Sequence, residues 1–290
     1  MKYIKIIISY LWGLLYAAWL WVVPKKKLSD VAADQPRLVV SLTSYGRRVR
    51  KTLPAAVRSM LAQTRTPDKI VVWLDEKSFT SENIPKNLKK LRDKYGVEVR
   101  FCEDMKSYKK LIPSLQMFPD DVIVTIDDDW VYRRKTLEML WKAYQNDHKN
   151  VYCTLAHKPL FDQKGTLLPY NKWRLNVVKD ESGLLFPLGG SGTLYPPHCL
   201  DAQVDDIQLF QELAPQADDV WFWAMALKNG YRCRLACGKK MLFPTDLIYQ
   251  QTHKDASLKE ANLHENQNDT QINNVMSYFN IDLKAFADER

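Results

Sequence analysis

Between Val122 and Asp129 the chain reads Val-Ile-Val-Thr-Ile-Asp-Asp-Asp. A short block this rich in β-branched apolar residues has the character of a strand buried on both faces. Carboxylates cannot follow it into a sheet without partners, because burying an unpaired charge is prohibitive. The aspartates therefore belong at the strand's exit, where a cation can compensate them. Hard divalent cations such as Mg2+ take oxygen ligands, commonly one or two carboxylates together with substrate phosphates. Asp127 and Asp129, two residues apart, can project to the same side of an extended backbone. The alternative is a solvated acidic turn or helix cap ahead of Tyr132.

Similar segments surround this one. Leu38 to Thr43, Ile70 to Leu74, Val97 to Phe101 and Val151 to Leu155 have strand character. Helical spacing runs through Leu61 after Gly46, over Pro85 to Tyr95 up to Gly96, around Lys109 to Met117, and over Thr136 to Gln145. Strands alternating with helices predict an α/β fold with a mainly parallel sheet covered on both faces. Ligands of such sheets bind beyond the carboxyl ends of the strands. After residue 156 the pattern loosens into a loop-rich, aromatic half around the Gly189-Gly190-Ser191-Gly192 turn, with helices near Asp206 to Leu213 and Asp219 to Lys228.

The net charge of +8 suggests nucleic acid until it is located. Residues 1 to 51 hold ten Lys/Arg against two Asp/Glu, which accounts for all of it. No nucleic-acid partner is expected. Ile6 to Val23 is uncharged over eighteen residues and flanked by lysines, so residues 1–24 read as a membrane anchor helix and 25–36 as a basic linker. Whether that helix spans or lies in the interface is open, since its aromatic-rich ends suit both. The basic excess after it places the main domain on the cytoplasmic side of a bacterial inner membrane, with a Golgi membrane as the alternative. Five scattered cysteines give no disulfide framework.

With these segments in this order, the chain resembles the GT-A glycosyltransferases, especially the family 2-like inverting enzymes, whose metal-binding Asp-X-Asp motif ends a central strand. The resemblance covers approximately residues 37 to 253. It implies a Rossmann-like nucleotide-sugar-binding half over 37–155 and an acceptor-binding half with a C-terminal tail over 156–290. It implies Mn2+ or Mg2+ as cofactor, a UDP-sugar as the favoured donor, and a glycan or lipid-linked saccharide as acceptor. Asp127 would then sit near the ribose and metal shell, with Asp128 beside the donor and Asp129 as direct metal ligand. Ser41, Thr43 and Tyr45 would face the base and ribose, and Asp75 would contact the base.

In the same resemblance Lys109 and Lys110 point toward the donor diphosphate, Lys acting as a point charge; a solvated helix face is the competing reading. Arg47 and Arg48 are weaker candidates that fit equally as a continuation of the basic arm. Gly190 lets the backbone approach the donor sugar. Asp219, with Asp218 second, corresponds to the catalytic base. An N-cap role is compatible with that, though a helix N-terminus favours the ionised carboxylate and so a weaker base. His253 is a candidate metal ligand, with His157 and His264 as competitors. Trp173, Trp221 and Trp223 are either sugar-stacking platforms or core.

Two other functions fit parts of the pattern. Asp127-Asp128-Asp129-Trp130-Val131 also suits a haloacid-dehalogenase-like phosphatase with Asp127 as nucleophile, although that nucleophile normally ends the first strand of its domain. A non-catalytic, membrane-anchored nucleotide-sugar-binding protein is the other.

Overall fold

The computed structural model describes residues 11–13, 15, 16, 18–25, 27, 28, 36–180, 182–238, 242, 243 and 267–288. The chain enters the domain through β1 (Leu38–Thr43), α1 (Arg48–Lys51) and α2 (Leu53–Leu61). It continues through β2 (Lys69–Asp75), α3 (Lys86–Tyr95) and β3 (Glu98–Cys102). Gly96 closes α3 at φ +75°, in the left-handed region where glycine escapes the Cβ penalty. The expected helix near Lys109 begins instead as a 3₁₀ turn, Lys106–Lys110, followed by α4 (Ile112–Met117). Pro113, which lacks an N–H, stands in the first turn of that helix, the helical position that tolerates it.

The strand that precedes the aspartates is β4 (Val122–Thr125), and after it come β5 (Val131–Tyr132), α5 (Thr136–Asn146) and β6 (Asn150–Cys153). The second half adds β7 (Ala156–Lys158), β8 (Arg174–Val177), β9 (Phe186–Pro187), β10 (Thr193–Tyr195), α6 (Ile207–Leu213), α7 (Asp218–Lys228), β11 (Arg232–Leu235), β12 (Leu242–Phe243), α8 (Gln267–Tyr278) and α9 (Leu283–Asp288).

One seven-stranded sheet, in the order β11-β6-β10-β4-β1-β2-β3, carries the domain. Its pairs are parallel except where β10 runs antiparallel between β4 and β6. The division of the chain into two halves is thus corrected in one respect: the later residues, read as loop-rich, supply a central strand and an edge strand. β10 is only three residues long and follows a glycine turn, which is why apolar periodicity did not reveal it.

Side chains alternate across the sheet as a pleated strand requires. Leu38, Val40 and Leu42 join a core with α2, α3 and α5, while Val39 faces Val71, Trp73 and Phe118 on the other side. The second major core gathers around α7, where Trp221, Phe222 and Trp223 are all buried. Trp173 belongs to the same aromatic cluster, 5.8 Å from Phe186 by ring centroids and 6.3 Å from Trp223. These three tryptophans are core, so none is a sugar platform. Trp221 also donates its indole N–H to the Val204 carbonyl at 2.9 Å.

Residues 11–13, 15, 16 and 18–22 are helical, but among the described residues no helix is long and apolar enough to cross a membrane. Part of the expected 1–24 anchor lies outside the described residues. Trp221→Ala should cost about 3–5 kcal/mol, as for other large-to-small changes in packed cores. Urea unfolding at unchanged m-value measures it, and a loss of only a few tenths would contradict the packing described.

Candidate functional site

Three aspartates leave β4 into two different environments. Asp128 turns inward, accepting a short hydrogen bond from the Ser44 hydroxyl and pairing with the Arg48 guanidinium at 3.2 Å. Asp129 makes a close ion pair with the same guanidinium. Arg48 comes from the first turn of α1, directly beyond the end of β1, the strand that runs parallel beside β4. Sheet order therefore brings it to the acidic triplet, and it is not part of a membrane-facing arm. Burial pushes Asp128 up to about 7 even though Arg48 pulls against it, and Asp129 and Asp127 add to the rise. Burial raises Asp129 as well. Asp128, expected beside the donor, has 5% of its side chain exposed and braces Arg48 and Ser44.

Asp127 takes the other side. Its carboxylate is 39% exposed and lies 3.3 Å from the Lys110 ammonium. That ammonium also sits 2.9 Å from Asp218 and 3.8 Å from Asp219, in the first turn of α7. Lys110 itself is buried, which rules out a solvated helix face. Burial alone would lower its pKa, but Asp127, Asp218 and Asp219 hold it well above the ordinary lysine value. Residues nearly a hundred positions apart are joined by one positive charge.

The glycine turn fits between these carboxylates. The Gly189 amide donates to Asp219 Oδ1 at 3.1 Å, and the Gly189 carbonyl accepts from Thr125 Oγ1 at 2.9 Å. The Tyr132 hydroxyl accepts from the Asp127 amide at 2.8 Å and donates a short bond to the Gly190 carbonyl. A Cβ on Gly189 would overlap Asp219, and one on Gly190 would overlap Asp127. Neither residue has positive φ, so glycine is required here by close approach rather than by backbone conformation.

Asp219 keeps a quarter of its side chain open, at 25% exposure. Burial pushes it up to about 7, with Lys110 pulling it down and Asp218 and Asp127 pushing it further up. The weaker base expected at a helix N-terminus is not what the surroundings produce: burial, with Asp218 and Asp127 nearby, holds this carboxyl above the usual range. Neither Asp218 nor Asp219 caps the helix, because Ala217 occupies the N-cap.

The residues expected around the nucleotide divide. Ser41 is fully buried and shares a 2.7 Å hydrogen bond with Ser114, which also accepts from the Trp73 indole, so Ser41 does not face a ligand. Thr43 donates to the Trp73 carbonyl at 3.0 Å. Tyr45 is 51% exposed beside Arg48, whose guanidinium lies 5.3 Å from its ring. Asp75 closes β2 and accepts from the amides of Lys77 at 3.0 Å and Ser78 at 3.2 Å. Lys109 diverges from Lys110, making a close pair with Asp104.

His157 is core: its Nδ1 accepts from the Asn176 amide at 3.0 Å, and burial pushes it down to about 4. His253 and His264 lie outside the described residues. Among the described residues no group of three or more His, Cys, Asp or Glu side chains is arranged to hold a metal. Asp127 remains a hard oxygen donor open to a cation, which fits Mg2+ or Mn2+ held in part by substrate phosphates. Asp129 would exchange Arg48 for such an ion. Arg48, Ser44, Tyr132 and Gly189 were missed or undervalued in the sequence. For Arg48 the usable signal was its place just beyond the end of the first strand.

A mainly parallel α/β sheet, with acidic residues at the exit of its central strand and a carboxylate pair facing them across a glycine turn, defines a GT-A glycosyltransferase. Residues 40–184 match glycosyl transferase family 2, and the chain belongs to that family. The phosphatase and binding-only readings fall with that assignment. No curated protein sequence matches it. Among solved structures, residues 1–349 of S. aureus TarS in complex with UDP-GlcNAc align with a TM-score of 0.52 at 15% identity, over 88% of this chain and 68% of that one. TarS 1–349 in another crystal structure aligns at 0.48 and 16% identity, over 83% and 72%. The mannosyltransferase PcManGT from Pyrobaculum calidifontis, with GDP-Man and Mn2+, aligns at 0.45 and 13% identity, over 98% and 81%. The first of these shows a shared fold.

Two outcomes follow from the geometry. Arg48→Met should destabilise the protein by about 3–5 kcal/mol by leaving buried carboxylates uncompensated. Mn2+ should then raise the melting temperature of the variant more than that of the wild type; equal shifts would contradict the pairing. Gly190→Ala should lower kcat/KM about 100-fold by displacing Asp127, and undiminished activity would show that the close approach is unimportant.

Proposed function

We propose that this chain transfers a sugar from a nucleotide-sugar donor, most favourably a UDP-sugar, to the hydroxyl of a glycan or lipid-linked saccharide, with inversion at the anomeric carbon. The observation that carries this reading is the Lys110 ammonium shared by Asp127, at the exit of β4, and Asp218 and Asp219, in the first turn of α7. It joins a candidate donor-phosphate end to a candidate base within one cluster. TarS, which shares the fold, was crystallised with UDP-GlcNAc, and that supports the donor class.

In this reading Asp219 accepts the proton of the acceptor hydroxyl while its oxygen attacks the anomeric carbon. The new C–O bond forms as the bond to the diphosphate breaks, and the nucleoside diphosphate leaves with the electron pair. A base with a pKa near the operating pH suits this task, and burial of Asp219 supplies it. Asp218 adds a like charge and shares Lys110. Tyr45, just past β1, and Asp75, the last residue of β2, stand at the carboxyl ends of those strands, where a base and ribose would sit. Asp127 and Asp129 would hold Mn2+ or Mg2+, which would neutralise charge on the departing diphosphate. Glycine at 189 and 190 keeps the carboxylates close to the turn.

We further assign the chain to a membrane surface through its N-terminal apolar segment, with the catalytic domain on the cytoplasmic face of a bacterial inner membrane, where nucleotide sugars are available. The basic residues that follow the segment support that side.

Screening nucleotide sugars for metal-dependent transfer or donor hydrolysis tests the activity. Asp219→Asn should retain UDP affinity and lose about 10²–10⁴-fold in kcat. In the wild type kcat/KM should fall as the pH drops below about 7, because the protonated carboxyl cannot accept a proton. A profile flat down to the ordinary carboxylate range, or full turnover in Asp219→Asn, would remove Asp219 from the base role.

A further inference from the structure

The helical residues between 11 and 22 have two unlike apolar faces. On one, Leu20 is buried against Ala62 and Val131, with Tyr16, Trp19 and Val23 packed around it. The Tyr16 hydroxyl donates to the Tyr132 carbonyl at 3.2 Å, pinning this face to the strand after the acidic triplet. Leu11, Leu15 and Val22 point away from Leu20, exposed by 52%, 62% and 78%, and Trp12 and Trp21 flank them at 62% and 59%. Spacing of four and eleven residues from Leu11 puts Leu15 and Val22 beside it on one side of a helix, with Trp12 at its edge. A helix docked along only one stripe would ordinarily present polar residues on the other.

Cations ring this helix. Arg134 lies 5.4 Å from the Trp19 ring and Arg58 3.8 Å from the Trp21 ring. Arg133 and Lys135 are exposed beside Arg134, and Lys27 is exposed after the helix. Lys25 is depressed first by burial and then by the neighbouring cations Arg58 and Lys94. An apolar strip bordered by basic side chains complements an anionic lipid surface, where tryptophan and leucine enter the headgroup boundary and basic residues meet the phosphates.

Geometry separates lying from spanning. From Tyr16 onward the helix is held along one stripe against the domain, so only the residues before it are free to cross a bilayer. The uncharged stretch before Tyr16 begins at Ile6 and is ten residues long. Even a full helix there would reach about 15 Å at 1.5 Å per residue, half of the roughly 30 Å hydrocarbon core.

Resting on the membrane association proposed above, we infer that the helix is an in-plane docking element. Its Leu11, Trp12, Leu15 and Val22 face enters one leaflet of an anionic bilayer while its Leu20 face stays on the domain. The transferase thus sits on the membrane as a monotopic protein, with β5, the segment that follows the acidic triplet, held close to the lipid surface.

The test uses the full purified chain and preformed vesicles of phosphatidylcholine, with and without phosphatidylglycerol. The wild type should float with the anionic vesicles, bind neutral ones less, and be released by alkaline carbonate. Trp12→Glu/Leu15→Glu should lower the vesicle partition coefficient about tenfold or more, with melting temperature and UDP affinity unchanged to show intact folding. Arg133→Glu/Arg134→Glu should weaken binding to anionic vesicles alone. Failure of the wild type to float would overturn membrane association itself. Flotation undiminished in Trp12→Glu/Leu15→Glu would overturn this face as the contact. Retention through carbonate would overturn the in-plane geometry and leave membrane association standing.

Discussion

The buried Lys110 ammonium organises this site. Lys110 stands among Asp127, Asp218 and Asp219, and without it three carboxylates would crowd a pocket in which none is fully hydrated. Burial and the neighbouring carboxylates push Asp219 up, and Lys110 pulls it back, leaving it near 7, where a carboxylate can both lose and accept a proton under ordinary conditions. A second cation, Arg48, does the same for Asp128 and Asp129. The acidic exit of the central strand is therefore compensated by the chain itself.

Much of the fold could be read from residue order. The β-branched blocks at Leu38, Ile70 and Val122 became adjacent strands, and Gly96 ended its helix where expected, because local pattern and tertiary role agree there. Strand β10 was not legible: three residues beside a glycine turn carry no period, and only pairing with β4 and β6 makes them a strand. At the site, Asp127 and Asp219 could be singled out as carboxylates following a hydrophobic strand and opening a helix. Their shared partner could not be chosen from Lys109 and Lys110, since adjacent residues in a turn point apart and only the 3₁₀ geometry selects which one enters the cluster. Ser41 illustrates the converse, a polar residue in a strand that bonds to another strand-facing hydroxyl rather than to a ligand.

The glycine turn explains how distant elements are kept in register. Thr125 and Tyr132, from the segments before and after the aspartates, bind the carbonyls of Gly189 and Gly190, while the Gly189 amide binds Asp219. A shift of the turn would move both carboxylates together. The aromatic core behind α7 fixes the other end, since Trp221, Phe222 and Trp223 follow the acidic pair immediately and hold that first turn in place. Core packing and chemistry are thus neighbours in sequence as well as in space.

The central claim is that Lys110 and Asp219 act as one unit. A double-mutant cycle on kcat/KM, using Lys110→Met, Asp219→Asn and the two combined, tests it most directly. The combined variant should be scarcely worse than Asp219→Asn alone, because without an ionisable base the ammonium has little left to set. Losses that simply add in free energy would contradict the coupling.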